Sequence, residues 1–174
     1  MIRIGIIIGS TRPGRKAEAV ARWVHGVATK RSDAGFELVD IKDFDLPLLD
    51  EPMPPAAGKY SQPHTRAWAA KVASFDAYVF VTPEYNHGPS GALKNAIDYL
   101  YREWNNKAAG FVGYGSAGGT RAVEQLRQVM GELMVADVRV PCLPGLGRRR
   151  NPEERFERGE TMSIPPGVVP TAML

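Results

Sequence analysis

The chain has 174 residues, 44% hydrophobic and 24% charged, enough to bury one core in a single α/β-sized domain without staples. Its formal charge of +3 is spread along the chain except at Arg148-Arg149-Arg150, which argues against nucleic acid as a partner and suits the gathering of anionic nucleotides. The single cysteine, Cys142, excludes an internal disulfide.

The chain opens on Ile2-Arg3-Ile4-Gly5-Ile6-Ile7-Ile8, a β-branched run that predicts a buried strand and is too short to span a bilayer. No charged segment precedes an apolar signal core, so the chain reads as cytoplasmic, with no membrane partner. From Lys16 to Lys30, Ala17, Val20, Val24 and Val27 recur at helical spacing. Phe36 to Ile41 is a second strand, and the proline-rich stretch from Asp43 to Tyr60 is irregular. A weaker helix around Trp68 and Val72 leads to a third strand, Ala77 to Val81.

Leu93, Ile97, Leu100 and Trp104 then form an apolar helical stripe, with Ser90 placed as its N-cap. Ala108 to Tyr114 is a fourth strand, Val123, Leu126, Met130 and Leu133 mark another amphipathic helix, and Val138-Arg139-Val140 is a short fifth strand. Such alternation predicts a doubly wound parallel sheet with helices on both faces. After Pro141 the periodicity stops, leaving an irregular 141–174 arm rich in proline and glycine, with Glu153 to Glu157 the one possible helical turn. The helix expected to cover the last strand is missing from this pattern, which predicts a self-associating chain whose arm packs as an extended segment.

Two turns follow strands and precede helices: Gly9-Ser10-Thr11-Arg12-Pro13-Gly14 and Pro83-Glu84-Tyr85-Asn86-His87-Gly88-Pro89. In an open parallel sheet, ligands bind beyond the carboxyl ends of the strands. The first turn offers the Ser10 and Thr11 hydroxyls, a helix N-terminus, and the cations Arg12, Arg15 and Lys16, a set suited to a phosphate monoester. The second is stiff and aromatic. Amides from Glu84 to Asn86 can face a ring edge, and Tyr85 can lie against a flat ring. Together they point to a mononucleotide.

Several other chemistries lack their residues. Gly9 and Gly14 have Walker A spacing, but Arg15 and Lys16 stand where lysine and Ser/Thr are required. Gly113-Tyr114-Gly115-Ser116-Ala117-Gly118 is formally G-x-G-x-x-G, but the acidic residue at the right distance, Asp137, precedes the next strand instead of ending it. This loop is better read as a backbone surface beside the ligand, with Ser116, Gly118 and Gly119 as N–H donors. His25, His64 and His87 share no metal-ligand spacing, and no nucleophile elbow is present. His87 reads as a solvated loop residue, so no catalytic side chain is assigned.

The segments Gly9-Ser10-Thr11-Arg12, Thr82-Pro83-Glu84-Tyr85-Asn86, Gly91-Ala92-Leu93-Lys94-Asn95-Ala96-Ile97-Asp98 and Gly115-Ser116-Ala117-Gly118-Gly119 resemble the NADPH-dependent FMN reductase family over about residues 2–140. That resemblance implies a flavodoxin-like five-stranded fold in residues 1–140. It places the FMN phosphate at Ser10, Arg12 and the 14–17 stretch (Arg15, Lys16 and Ala17 included), the isoalloxazine edge at Pro83, Glu84, Tyr85 and Asn86, and the flanking loop at Ser116, Gly118 and Gly119. It also implies a dimer or tetramer with flavin sites near the interface. The chain departs from the family in stopping where a final helix would run.

The activity so implied passes hydride from NADPH or NADH through FMN to a quinone, free flavin, azo compound or metal oxyanion. A cofactor that carries the chemistry leaves the protein to bind, orient and polarise, so no obligatory acid–base side chain is expected. A flavodoxin-type electron carrier is the alternative, although such carriers are strongly acidic. A third reading, a nicotinamide dehydrogenase built on the 113–118 glycines, would purify colourless.

Overall fold

A computed structural model describes residues 1–138. The expected 141–174 arm, Cys142 and all of the expected fifth strand beyond Val138 lie outside the described residues. Five strands form one all-parallel sheet in the order β2-β1-β3-β4-β5, comprising β1 (Ile2–Ile8), β2 (Ala34–Asp40), β3 (Ala77–Pro83), β4 (Ala108–Tyr114) and β5 (Ala136–Asp137). Four helices connect them: α1 (Ala17–Ala28), α2 (Pro63–Ala73), α3 (Gly91–Asp98) and α4 (Thr120–Glu132). Two short 3₁₀ turns, Ile41–Phe44 and Pro55–Ala57, order the proline-rich segment after β2. Among the described residues no helix is long and apolar enough to cross a membrane.

Central strands of a parallel sheet are covered on both faces, which is why β1 and β3 read as near-continuous apolar runs. Alternation then sorts their side chains. Ile6, Ile8, Val81 and Val112 pack with Ala17, Val20 and Ala21 of α1. Ile7, Phe80 and Phe111 face the other way, into a larger core with Trp68 and Val72 of α2, Leu93 and Ile97 of α3, and Leu126 and Met130 of α4. The result is three layers, with the carboxyl ends of the strands left open at one edge.

Among the boundaries that differ from those expected, three have a cause in named contacts. β2 ends at Asp40, because its carboxylate accepts the Lys42 N–H at 2.9 Å and starts a 3₁₀ turn that takes Ile41 out of the strand. Helix α3 stops at Asp98, short of Leu100 and Trp104, although both remain buried. The Trp68 indole donates to the Ala96 carbonyl at 2.7 Å, the acceptor a continuing helix would offer to the Leu100 N–H. That N–H bonds the Ile97 carbonyl instead, at 3.2 Å, beside the Trp104 indole at 3.1 Å, so the last turn tightens and the helix ends. Strand β5 begins at Ala136, earlier than expected, because the Ala136 N–H bonds the Lys107 carbonyl just ahead of β4. Ser90 caps α3 as expected, accepting the Leu93 N–H at 3.1 Å while its hydroxyl donates to the Gly9 carbonyl at 2.5 Å.

Candidate functional site

From β1 the chain winds toward β2 on one side, and from β3 toward β4 and β5 on the other. The loops after β1 and β3 therefore diverge and leave a crevice at their carboxyl ends, the switch point of a doubly wound sheet. Gly9 closes the floor of that crevice. Its N–H donates to the Val81 carbonyl at 2.8 Å, and a Cβ there would stand 2.7 Å from the same oxygen and 2.8 Å from the Leu93 side chain. No side chain fits, so the first turn is pressed against β3.

The two turns singled out in the sequence meet through Tyr85. Its hydroxyl lies 3.3 Å from the buried Ser10 hydroxyl, and the Arg12 guanidinium stands over its ring, 5.9 Å from the centroid. Thr11, Arg12 and Gly14 are exposed, and Gly14 adopts φ +68° with open space where a Cβ would be. Lys16 occupies the N-cap of α1 without a side-chain cap bond, and Ala17 begins the helix in the core. The first-turn amides of α1 thus carry no side-chain cap, a donor set suited to an anion.

Arg15 corrects the expectation of three cations turned toward the ligand. Its side chain is 11% exposed. One guanidinium nitrogen donates to the Ser10 carbonyl at 2.6 Å and to the Asp40 carboxylate at 2.9 Å, and the second nitrogen pairs with the other Asp40 oxygen. Its charge is already matched within the protein. Sequence reasoning passed over Asp40, although an acidic residue ending a parallel strand lies on the same open edge as the loop after β1.

At the second turn, Pro83 ends β3 opposite Tyr114. Tyr85 and Gly88 exchange both backbone hydrogen bonds, at 2.9 and 3.1 Å, around Asn86 at φ +48° and His87 at φ +75°. Two consecutive left-handed residues in a two-residue loop are the signature of a type I′ turn. The Glu84 N–H donates to the Tyr114 carbonyl at 3.1 Å. Of the three amides expected to face a ring, those of Glu84 and Tyr85 are therefore taken by the backbone. Asn86 keeps an N–H with no backbone partner among the described residues.

The Glu84 carboxylate, 5% exposed, turns away from the crevice and pairs with the Arg121 guanidinium, also accepting the Arg121 N–H at 3.1 Å at the start of α4. Burial alone would raise its pKa, but the hydrogen bonds and charge of Arg121 more than offset that and hold it below the ordinary 4.5. A depressed folded-state pKa contributes stability that is present above about 4.5 and lost as pH falls through the folded value. Thermal melts from pH 7 to pH 3 should show wild type above Glu84→Gln at neutral pH, with the gap closing below pH 4.5. A gap independent of pH would remove the charge from this contact.

The third loop folds back on β4. Gly113 and Gly119 touch so closely that a Cβ on Gly113 would lie 2.8 Å from the Gly119 carbonyl, and Gly119 itself sits at φ +74°. The Gly118 N–H donates to the Gly115 carbonyl at 2.9 Å, which corrects its expected role as a free donor, while Ser116 is exposed. A Cβ on Gly115 would stand 3.5 Å from the Glu84 side chain, so this loop abuts the second turn. His87 is held by Arg121, at 3.3 Å from its Nδ1, and by Gln125, which donates to its carbonyl at 2.7 Å. Asp137 lies within β5, not before it, opposite Ala109 at the amino end of β4, where it pairs with Arg127 at 3.3 Å. It is at the wrong edge to hold a ribose.

Strand order and paired turns at the switch point define a flavodoxin-like α/β protein. Sequence comparison gives the family. The profile of the NADPH-dependent FMN reductases matches residues 2–143, and the chain belongs to that family. It is 43% identical over 134 residues to an NAD(P)H-dependent FMN reductase of Nectria sp, covering 74% of this chain and 67% of the relative. With a Schizosaccharomyces pombe protein of the same description it shares 41% over 146 residues, covering 83% and 72%. Among solved structures, the flavoenzyme NAD(P)H:(acceptor) oxidoreductase FerB of Paracoccus denitrificans superposes with a TM-score of 0.67 at 22% identity, covering 81% of this chain and 77% of that one, a likeness of fold.

Proposed function

We propose that the protein is an FMN-dependent NAD(P)H oxidoreductase that reduces a quinone or a similar small acceptor. The observation that carries this reading is the meeting of Ser10, Arg12 and Tyr85 at the switch point, where an anion donor set adjoins an aromatic turn. The residues fit the cofactor. Uncapped first-turn amides of α1, the Ser10 and Thr11 hydroxyls and the Arg12 guanidinium suit a phosphate monoester, with Lys16 and Ala17 at the helix start. Pro83, Tyr85 and the Asn86 amide suit a ring edge, and Ser116, Gly118 and Gly119 wall the far side.

FMN, when bound, supplies the reversible two-electron chemistry, and the protein supplies position and electrostatics. The Asn86-His87 turn is held by the paired Tyr85 and Gly88 backbone hydrogen bonds and by Gln125 on the His87 carbonyl. The buried Glu84–Arg121 pair ties the turn to α4, so the second and third loops hold a fixed spacing.

We infer that residues 1–140 form the flavin-binding unit and that the protein works in the cytoplasm. Self-association as a dimer or tetramer is supported by Leu48, Leu49 and Met53, which are 85%, 42% and 48% exposed on one segment. That segment is fixed in shape: the Asn95 side chain donates to the Pro47 carbonyl at 2.6 Å and accepts the Leu49 N–H at 3.0 Å. Apolar surface held in one conformation suits a protein contact.

The test is direct. Purified protein should be yellow, release FMN on heating, and oxidise NADPH or NADH rapidly when a quinone is added. Release of FAD, or apoprotein that binds no added FMN, would overturn the reading.

A further inference from the structure

We propose that Asp40 is a positioning residue for phosphate binding, acting through Arg15 on the peptide that joins Ser10 to Thr11. The inference rests on the FMN-binding reading above. The geometry is a clasp across three segments: Asp40, at the end of β2, grips the Arg15 guanidinium with both carboxylate oxygens. Arg15 in turn donates to the Ser10 carbonyl at 2.6 Å. The same Asp40 oxygen that receives one arm of the fork also accepts the Lys42 N–H at 2.9 Å, so the carboxylate is itself fixed by the 3₁₀ turn that follows. Both charged side chains are largely withdrawn from water, at 11% and 16% exposure, where a bidentate Arg–carboxylate contact is geometrically specific.

A trans peptide is planar, with its C=O and N–H pointing in opposite directions. Drawing the Ser10 carbonyl toward Arg15 therefore turns the Thr11 N–H to the opposite side of the loop, away from the clasp. That N–H has no hydrogen-bond partner among the described residues. The clasp thus does two things for an anion bound at this loop. It presents the Thr11 amide and keeps the Ser10 carbonyl, which would repel a phosphate, on the far side. It also cancels the Asp40 charge, so that a carboxylate near the site does not oppose binding. Arg15 on this account need not touch the phosphate.

The experiment compares FMN with riboflavin, which lacks the phosphate, by quenching of flavin fluorescence on apoprotein stripped of cofactor. Wild type should bind FMN more tightly than riboflavin. Asp40→Asn should weaken FMN by about ten- to a hundredfold, the worth of one charge-assisted hydrogen bond, and leave riboflavin unchanged. Arg15→Ala should do the same, and the double variant should be no worse than Arg15→Ala alone, because both substitutions break one device. If Arg15 contacts the phosphate directly, Asp40→Asn will leave FMN binding unchanged or tighten it while Arg15→Ala weakens it, and the proposal falls. Additive losses in the double variant, or equal losses for FMN and riboflavin, would overturn it as well. Should Asp40→Asn fail to fold, Asp40→Ser, which can still cap the 3₁₀ turn, carries the same comparison. Wild type that does not distinguish FMN from riboflavin would instead defeat the underlying assignment of the phosphate loop.

Discussion

Gly119→Ala should destabilise the protein by about 3 kcal/mol or more and cripple flavin binding, whereas Gly131→Ala should be harmless. At Gly119 two costs combine. Its φ of +74° lies in the left-handed region, where an L side chain pays roughly 1–2 kcal/mol. The added Cβ would also stand 2.5 Å from the Tyr114 nitrogen and 2.6 Å from the Gly113 Cα. These are backbone atoms of β4, so no flexible side chain can give way, and the loop beside the second turn must lift from the strand. At roughly 2–4 °C per kcal/mol for a chain of this size, the melting temperature should fall by about 6–12 °C. Gly131, by contrast, lies in α4 with nothing within 4 Å of a built Cβ, and alanine there should gain about 0.5–1 kcal/mol of helix stability. Melting curves of the two variants settle the point, and a Gly119→Ala protein within 2 °C of wild type would show that the loop can move at little cost.

The sheet was legible because its signals are local. Ile4, Ile6, Ile7 and Ile8 announce a strand buried on both faces, and the turns that follow β1, β3 and β4 carry their glycines and prolines in the chain itself. What the sequence hid is set by contacts distant along the chain. Arg15 read as a free cation because its partner is 25 residues away, and only the parallel pairing of β1 with β2 brings Asp40 to the same edge. The end of α3 was likewise decided by an indole 28 residues upstream, Trp68, taking the Ala96 carbonyl, a choice that helical periodicity cannot register. The hairpin at Asn86-His87 lacks the Asn-Gly pair that usually marks a type I′ turn, which hides the closure of the Tyr85 amide onto Gly88, and the Glu84 amide is taken by Tyr114 at the end of β4, a partner on another strand. The partner of the Glu84 carboxylate was hidden for a similar reason: Arg121 follows the glycine loop 37 residues later.

Once Arg15 is matched with Asp40, the electrostatics of the crevice turn on Arg12. Its guanidinium lies over the Tyr85 ring in an exposed position and has no carboxylate partner among the described residues. An exposed cation–π contact is worth only about 0.5–1 kcal/mol, so Arg12→Ala should change the melting temperature of the apoprotein little. A charge-assisted contact to a phosphate is worth more. Its loss should weaken FMN by roughly 1.5–3 kcal/mol, or about ten- to a hundredfold, while riboflavin affinity stays within a factor of about two. Turnover should largely return when FMN is saturating, because the substitution removes binding shared by every step of the reaction and touches no group that holds or moves a proton. The dependence of FMN affinity on salt should also flatten, since an exposed charge near the ligand is screened over about 10 Å at 0.1 M salt. An unchanged FMN dissociation constant would take Arg12 out of the site. A loss of turnover that excess FMN does not restore would mean that Arg12 acts on the reacting substrates and not on the cofactor's phosphate.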